Sequence, residues 1–125
     1  MILDTNAVSA LLKGDPALGE VLAAEERHHL PVVVIGEYRY GLFRSSHRDH
    51  LQKLLESLIQ ESIVLLIDET TAEAYSRVRE ELRGKGRPIP ENDIWIAALA
   101  RQHQQPVVSR DGHFDDVPDL RRLSW

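Results

Sequence analysis

The chain has 125 residues, 42% of them hydrophobic, which predicts one domain spanning residues 1–125 with a single buried core. It contains no cysteine, which excludes disulfide bonds, thiolate nucleophiles and cysteine-based zinc or iron–sulfur sites. The formal net charge of −5 argues against a protein that coats nucleic acid through bulk charge, but it permits an enzyme that captures a phosphodiester locally.

The first third of the chain predicts two short helices between two strands. Residues 1–3 form a strand candidate that ends at Asp4, and a helix follows until Gly14. Asp15 and Pro16 are a cap and a first-turn proline, which begin a second helix. The β-branched run at residues 32–35 is typical of a strand buried on both faces of a parallel sheet, and we therefore assign the second strand to it.

The pattern becomes helical from Gly36, and two helices are predicted before residue 60. A third strand is expected at residues 63–67, followed by a helix that Thr70 and Thr71 cap and that ends at Gly84. Residues 94–99 are apolar on nearly every side, which indicates a deeply buried helix.

Residues 107–109 predict a fourth strand, and residues 120–123 predict a fifth strand at an edge. Strands that alternate with helices imply right-handed crossovers and a parallel sheet between helical layers. The predicted class is therefore α/β, with four to five parallel strands.

Four acidic residues are predicted to meet at one edge of this sheet. Asp4 ends the first strand, Glu37 follows the second strand by the first turn of a helix, and Asp111 follows the fourth. Asp93 begins the most buried helix. Asp4 or Asp93 alone fits a helix cap equally well, and Glu37 alone fits a solvated helix glutamate better than a site residue. In open α/β sheets, however, ligands bind beyond the carboxyl ends of the strands, so the four acids share the expected site.

Converging carboxylates predict a bound cation, because like charges held a few ångströms apart are unfavourable unless a cation neutralises them. Oxygen ligands without cysteine suit Mg²⁺, with Mn²⁺ as a substitute, better than zinc. Mg²⁺ binds phosphate oxygens and lowers the pKa of a bound water. The acidic set therefore favours phosphodiester hydrolysis.

Four sequence blocks resemble the signature of PIN-domain proteins, specifically the VapC-type toxins of bacterial toxin–antitoxin pairs. These blocks are MILDTN at residues 1–6, VIGEYRYG at 34–41, ENDIWIAA at 91–98 and VSRDGHF at 108–114. Each block is weak alone, but the four occur in the family's order and the similarity covers essentially the whole chain.

The resemblance implies a three-layer α/β/α fold and a Mg²⁺-dependent endoribonuclease acting on RNA. It also implies a homodimer, and a cognate antitoxin whose tail occupies the active-site groove. Asp4 and Asp93 match the principal metal-binding aspartates, and Glu37 and Asp111 match the remaining acids. The supporting polar positions of the family correspond to Thr5, Asn6 and Ser109.

Two features of the last block depart from the family or leave a choice. Asp119 stands where family members usually have glycine after the proline, which puts the geometry of that turn in question. Asp115 and Asp116 compete with Asp111 for the fourth carboxylate. We choose Asp111, because it lies only two residues beyond the fourth strand.

Other functions that occur on similar folds require acidic residues at other positions. A phosphoacceptor receiver domain needs an acidic pair after the first strand, and an aspartyl phosphatase needs a second Asp two positions after the first, whereas Thr5 and Asn6 follow Asp4. The remaining alternative is a catalytically silent PIN-like module that binds RNA or protein. The sequence does not specify which RNA is cut.

The histidines, His113 included, share no metal-ligand spacing and are interpreted as surface residues, while Trp95 is interpreted as core. Aromatic and apolar residues at 38–43 suggest an exposed patch for a dimer or antitoxin. Basic residues cluster at 39–48 and 83–87. With no signal-like segment and no apolar run near the roughly 20 residues that cross a bilayer, we expect a soluble, cytoplasmic protein without membrane contact.

Overall fold

A five-stranded parallel sheet flanked by helices forms the fold, as the sequence predicts. The computed structural model describes residues 1–125. The strands are β1 (Ile2–Leu3), β2 (His29–Pro31), β3 (Ile63–Leu65), β4 (Val107–Val108) and β5 (Arg122–Leu123). The helices are α1 (Thr5–Leu12), α2 (Pro16–Leu22), α3 (Val32–Leu42), α4 (Arg48–Glu61), α5 (Glu69–Gly84) and α6 (Glu91–His103), with a 3₁₀ helix at Gly112–Asp116.

The strand order is β3-β2-β1-β4-β5, and every neighbouring pair is parallel. The chain builds β2 and β3 on one side of β1 and then returns to place β4 and β5 on the other. The strand order therefore reverses between β1 and β4, where ligands bind in sheets of this kind. The predicted fifth strand is confirmed at the edge of the sheet.

The second strand lies earlier in the chain than predicted. Residues 32–35 begin α3, and β2 is His29–Pro31, which pairs with β3 from His29 opposite Ile63 to Pro31 opposite Leu65. Val34, Tyr38 and Leu42 are buried at a spacing of four residues, so packing of one helical face outweighs the strand preference of β-branched residues. The strand assignment for residues 32–35 is therefore wrong.

The start of α5 also differs from its prediction. Asp68, rather than Thr70 or Thr71, is the N-cap, and its side chain accepts a hydrogen bond from the Thr71 backbone N–H at 3.0 Å. The Thr71 hydroxyl accepts in return from the Asp68 backbone N–H at 3.1 Å, which completes a capping box. Residues 66–67, predicted as strand, lie in the connection before this cap.

The buried helix α6 contributes to the core and carries Asp93 in its first turn. Ile94 and residues 96–100 are buried as expected, whereas Trp95 is only half-buried and stacks on Tyr75 with ring centroids 3.9 Å apart. None of the helices combines the length and the apolar character that crossing a membrane requires.

The turn before β5 keeps the left-handed backbone that glycine usually supplies. Asp119 has φ of 58°, a conformation that aspartate tolerates better than most residues. The substitution therefore leaves the turn in place.

Candidate active site

The register between β1 and β4 brings Asp4 and Ser109 together. Leu3 pairs with Val108, so the next residue of each strand lies at the same edge of the sheet. The Ser109 hydroxyl donates to Asp4 Oδ2 at 2.6 Å, and the Thr5 backbone N–H donates to Asp4 Oδ1 at 2.8 Å. Both side chains are buried, and burial raises the pKa of Asp4 despite these two hydrogen bonds.

Ser109 connects three parts of this edge through one oxygen. While its hydroxyl donates to Asp4, its Oγ accepts from Asn6 Nδ2 at 3.2 Å and from the Asp111 backbone N–H at 2.9 Å. The hydroxyl therefore uses its donor and both acceptor sites. Asn6, in turn, accepts from the Arg110 backbone N–H through Oδ1 at 3.3 Å. This network fixes the first turn of α1 against the residues that follow β4.

Asp93 lies in the first turn of α6 with only 12% of its side chain exposed. Burial, together with the nearby charges of Asp4 and Asp111, raises its pKa to about 6, although a hydrogen bond with His113 opposes the shift. A carboxylate with this pKa is costly to ionise in the metal-free protein. It is therefore a group that a cation would stabilise strongly.

Glu37 reaches the same site from the second turn of α3, whereas the first turn of a helix after a strand was predicted. Burial is the main cause of its raised pKa, and the charges of Asp4 and Asp93 contribute further. Its Oε1 is buried without a hydrogen-bond partner, as is the hydroxyl oxygen of Thr5. The Thr5 and Asn92 side chains lie near enough to oppose the rise in its pKa, but Oε1 has no well-aligned donor among the acids that repel it.

Asp111 completes the acidic set and lies beside His113, which was predicted to be a surface residue. Asp111 caps the 3₁₀ helix, accepting from the His113 backbone N–H through Oδ1 at 2.9 Å. The His113 ring lies between two carboxylates, with Nδ1 3.1 Å from Asp93 Oδ2 and 2.9 Å from Asp111 Oδ1. Its hydrogen bond with Asp93 is the main cause of its raised pKa.

His113 is half-exposed, so the expected exposure is correct, but its contacts place it in the site. In the sequence, only the position of His113 two residues after Asp111 pointed to the site. That position predicts a contact with the acids only if a helical turn follows Asp111.

The two competing aspartates point to other partners. Asp115 binds Arg122 through two hydrogen bonds of 2.9 Å, and 56% of its side chain is exposed. Asp116 lies 3.9 Å from the Arg87 guanidinium. The structure therefore groups Asp111, rather than either of these residues, with Asp4, Glu37 and Asp93.

The donor set fits a divalent cation. Ligand atoms of Asp93, Asp111 and His113 lie within 4.8 Å of one another, and Asp4 and Glu37 act electrostatically on the same group. Carboxylate oxygens are the ligands that Mg²⁺ prefers, and the unpaired Glu37 Oε1 adds a further buried oxygen. Mn²⁺ shares this preference for carboxylates, whereas the imidazole nitrogen of His113 is a ligand type that other transition-metal ions favour.

The region predicted as an exposed apolar patch is only partly exposed. Tyr38 and Leu42 are buried in the core, whereas Tyr40 and Phe43 are 62% and 65% exposed. Arginine side chains cover the two exposed rings, with Arg44 4.7 Å from the Tyr40 centroid and Arg48 4.3 Å from that of Phe43. The exposed surface of α3 is therefore mixed aromatic and cationic.

The chain resembles a set of known proteins over nearly its full length. The family described as PIN domain matches residues 1–120. Ribonuclease VapC5 of Mycobacterium tuberculosis is 31% identical over 115 residues, which cover 90% of this chain and 84% of that protein. Ribonuclease VapC1 of Haemophilus influenzae strain R2866 is 26% identical over 129 aligned positions, covering 99% of this chain and 96% of that protein.

The fold is also similar to that of solved structures over nearly the whole chain. One chain of the crystal structure of DNA-bound VapBC from Salmonella typhimurium superposes with a TM-score of 0.89 at 27% identity, covering 99% of this chain and 96% of that one. VapBC-1 from nontypeable Haemophilus influenzae gives a TM-score of 0.86 at 26% identity, with the same two coverages.

Proposed function

This chain belongs to the PIN-domain family, and from that premise we propose that it is a Mg²⁺-dependent endoribonuclease of the VapC type, acting in a toxin–antitoxin pair. Its relatives include proteins named ribonucleases, and structures related to it are VapBC complexes. The observation that carries the proposal is the meeting of Asp4, Glu37, Asp93 and Asp111 at the switch point of the sheet. A silent binding module would have no need to gather acids that raise one another's pKa in this way.

We assign cation binding to Asp4, Asp93 and Asp111, and we assign positioning of this set to Ser109. The Ser109 hydroxyl orients Asp4 by donating to Oδ2, and it orients Asp111 by accepting from the backbone N–H. When bound, Mg²⁺ would supply a polarised water and would neutralise charge that develops on the phosphate.

Glu37 is the residue suited to accept a proton from the attacking water. Its Oε1 makes no hydrogen bond of good geometry, and burial raises its pKa toward the range where a general base works well, although the nearby Thr5 and Asn92 side chains oppose that shift. The other acids lack this freedom, because both oxygens of Asp4 accept hydrogen bonds and Asp93 is bound to His113.

We also propose two protein partners, a cognate antitoxin and a second copy of this chain. Support comes from the VapBC assemblies formed by related chains and from the exposed Tyr40 and Phe43 rings on α3. The cytoplasm, where such a pair would meet RNA, is the proposed location.

Cleavage of RNA by the purified chain tests the function directly. Total RNA should be cut in the presence of Mg²⁺ or Mn²⁺ and left intact in excess EDTA, and sequencing of the new ends would give the cleavage site. Asp4→Asn should abolish cutting, whereas Asp115→Asn, a charge-matched control outside the acidic set, should retain it. Binding of RNA without metal-dependent cutting would favour the silent module instead.

A further inference from the structure

His113 is the only basic side chain that contacts the acidic set. Other acids of the chain pair with arginine, as Asp115 does with Arg122. No lysine or arginine forms an ion pair with the four acids of the set, whereas the His113 ring lies against two of them. A cation that neutralises these acids would therefore meet the imidazole as well.

The backbone that carries the His113 ring is held in place on both sides. Its N–H donates to Asp111 Oδ1 at 2.9 Å at the start of the 3₁₀ helix. The next residue, Phe114, is fully buried in the core and anchors this helix. The ring thus reaches the acids from a fixed position, and little conformational freedom is left to lose when it binds a ligand.

Two carboxylate oxygens face a single nitrogen of this ring. His113 Nδ1 lies 3.1 Å from Asp93 Oδ2 and 2.9 Å from Asp111 Oδ1. A ring nitrogen carries at most one hydrogen, so it cannot donate fully to both oxygens. The hydrogen bond is the one with Asp93. A hydrogen on Nδ1 therefore satisfies this arrangement incompletely, whereas one metal ion could bind all three atoms.

The separations match those between ligands of one metal ion. Two ligand atoms about 2.1 Å from an ion, at right angles around it, lie about 3.0 Å apart. The two distances from Nδ1, 3.1 Å and 2.9 Å, agree with this value. Ligand atoms of all three residues lie within 4.8 Å of one another. An ion that takes the place of the Nδ1 hydrogen can thus bind them after small side-chain movements.

The three side chains also leave a path from solvent. The exposed fraction rises from 12% for Asp93 to 30% for Asp111 and 48% for His113. An ion can enter on the side of the histidine and keep bound water there. Water on the ion is what the proposed hydrolysis requires.

A nitrogen ligand changes which ions such a site prefers. Mg²⁺ and Mn²⁺ suit carboxylate and water ligands, whereas imidazole suits ions such as Ni²⁺ and Zn²⁺. For a given set of nitrogen and oxygen ligands, Co²⁺ and Zn²⁺ also bind more tightly than Mn²⁺. Two carboxylates with one imidazole therefore favour these transition-metal ions.

We propose that His113 Nδ1 is a further ligand of the cation that Asp93 and Asp111 bind, and that it makes the site prefer a transition-metal ion of the Co²⁺ and Zn²⁺ class over Mg²⁺. The inference rests on the proposed function in taking the acidic set as a cation site, and it adds a ligand and a class of metal to that site. The neutral ring carries its hydrogen on Nε2 and presents the Nδ1 lone pair to the ion. Mg²⁺ keeps the carboxylates as ligands and can bind without the ring.

Metal binding without RNA measures this preference. Isothermal titration calorimetry of the purified chain with MgCl₂ and with CoCl₂, at one pH, gives the two dissociation constants. His113→Asn places an amide nitrogen near the position of Nδ1, so it can still donate to Asp93, but that nitrogen has no lone pair for a metal. The variant should bind Co²⁺ at least about tenfold more weakly, while its Mg²⁺ affinity should change by less than about twofold.

His50→Ala is the matched control, because His50 is exposed on α4 and lies outside the group of metal-ligating side chains. It should leave both affinities unchanged. Equal losses of Co²⁺ affinity in His50→Ala and His113→Asn would overturn the proposal, and so would a failure of the unmodified chain to bind Co²⁺.

His113→Ala distinguishes a ligand from a competitor. A ring that only donates to the two carboxylates competes with every cation, so its removal would raise the affinities for Co²⁺ and Mg²⁺ together. A ring that binds the metal supports Co²⁺ selectively, so its removal should lower the ratio of the Co²⁺ affinity to the Mg²⁺ affinity. An unchanged or higher ratio would overturn the proposal.

X-ray absorption at the cobalt edge gives a readout at the metal itself. The ring atoms of a coordinated imidazole scatter from beyond the ligand shell, in a pattern that carboxylates and water do not give. The Co²⁺-loaded unmodified chain and His50→Ala should both show this pattern, and His113→Asn should lose it. Its absence from the unmodified chain would overturn the proposal even if the His113 variants failed to fold.

Cleavage assays separate this inference from the proposed function. If the chain cuts RNA with Mg²⁺ but the affinity ratio is unchanged in His113→Asn, the histidine ligand is wrong and the ribonuclease stands. If the ratio falls but no divalent cation supports cutting, the ligand assignment stands and the ribonuclease is wrong.

Discussion

Asp93→Asn should make the metal-free protein more stable while it removes the proposed activity. Asp93 is buried against Asp4 and Asp111, and these surroundings penalise its charge. Asparagine keeps the size of the side chain and an oxygen that can accept from His113, but it carries no charge to bury. The substitution therefore removes the unfavourable free energy of a buried negative charge from the folded state, and it removes a carboxylate ligand from the site.

The size of the gain follows from the pKa. Burial and the neighbouring charges raise the pKa of Asp93 from 3.8 to about 6. At about 1.4 kcal/mol for each pKa unit, ionising this group in the folded protein costs about 3 kcal/mol relative to the unfolded chain. For a chain of this length, that corresponds to a rise in Tm of roughly 10 °C.

The gain should depend on pH in a defined direction. Below pH 3.8 Asp93 is protonated in both states, so Asp93→Asn should have little effect there. As the pH rises to about 6 the unfolded chain releases its proton first, and the folded protein loses stability. The advantage of the variant should grow through this window and remain constant above it.

Urea unfolding of both proteins in EDTA, at several values between pH 4 and pH 8, measures this difference. Asp115→Asn is the control with opposite sign, because Arg122 lowers the pKa of Asp115 and the variant loses that ion pair. A gain for Asp93→Asn that is equally large at pH 4 and pH 8 would refute the electrostatic reasoning. A loss of stability at pH 8 would refute it as well.

Further predictions concern the same network. Ser109→Ala should destabilise the protein by about 1 to 3 kcal/mol in chemical unfolding, because Asn6 loses its acceptor and Asp4 Oδ2 loses its donor. The same substitution should slow RNA cleavage by about 10- to 100-fold. Mg²⁺ at a hundred times its Kd should stabilise the unmodified protein by about 3 kcal/mol in a melting assay, and an unchanged Tm would contradict a preformed acidic cluster. Asp111→Asn should reduce cleavage far more than Asp115→Asn, and the reverse order would show that Asp115 is the fourth carboxylate.

The strand edge of the site could be predicted from the sequence because it depends on local rules. Asp4 and Ser109 each follow a short apolar strand, β1 and β4. These two strands are parallel neighbours, so they end at the same edge of the sheet. That geometry alone brings the two side chains within hydrogen-bond distance. The same logic failed at Glu37, because the β-branched residues before it belong to a helix.

The failure at residues 32–35 has a physical origin that the sequence only partly contains. β-branched residues favour strands by packing well on a pleated surface, and that preference amounts to only about 1 kcal/mol across the residue scale. Val34 is fully buried in α3, together with Tyr38 one turn later. Burial of such side chains contributes about 1.5 to 3 kcal/mol each, so tertiary packing decides the outcome. The sequence shows the four-residue spacing of Val34 and Tyr38, but it does not show the surface against which that helical face packs.

His113 shows why the full site could not be predicted from residue types and spacing. Its position matters only because Asp111 caps a 3₁₀ turn, which carries the ring back toward Asp93 on another helix. The two aspartates lie 18 positions apart in the chain, and their approach depends on how α6 packs against the 3₁₀ helix that follows β4. The His113 ring between them places Nδ1 3.1 Å from Asp93 Oδ2 and 2.9 Å from Asp111 Oδ1, which would otherwise face each other. Contacts between charged groups on elements that are distant in the sequence thus define this part of the site. Such contacts can be identified only once the fold is known.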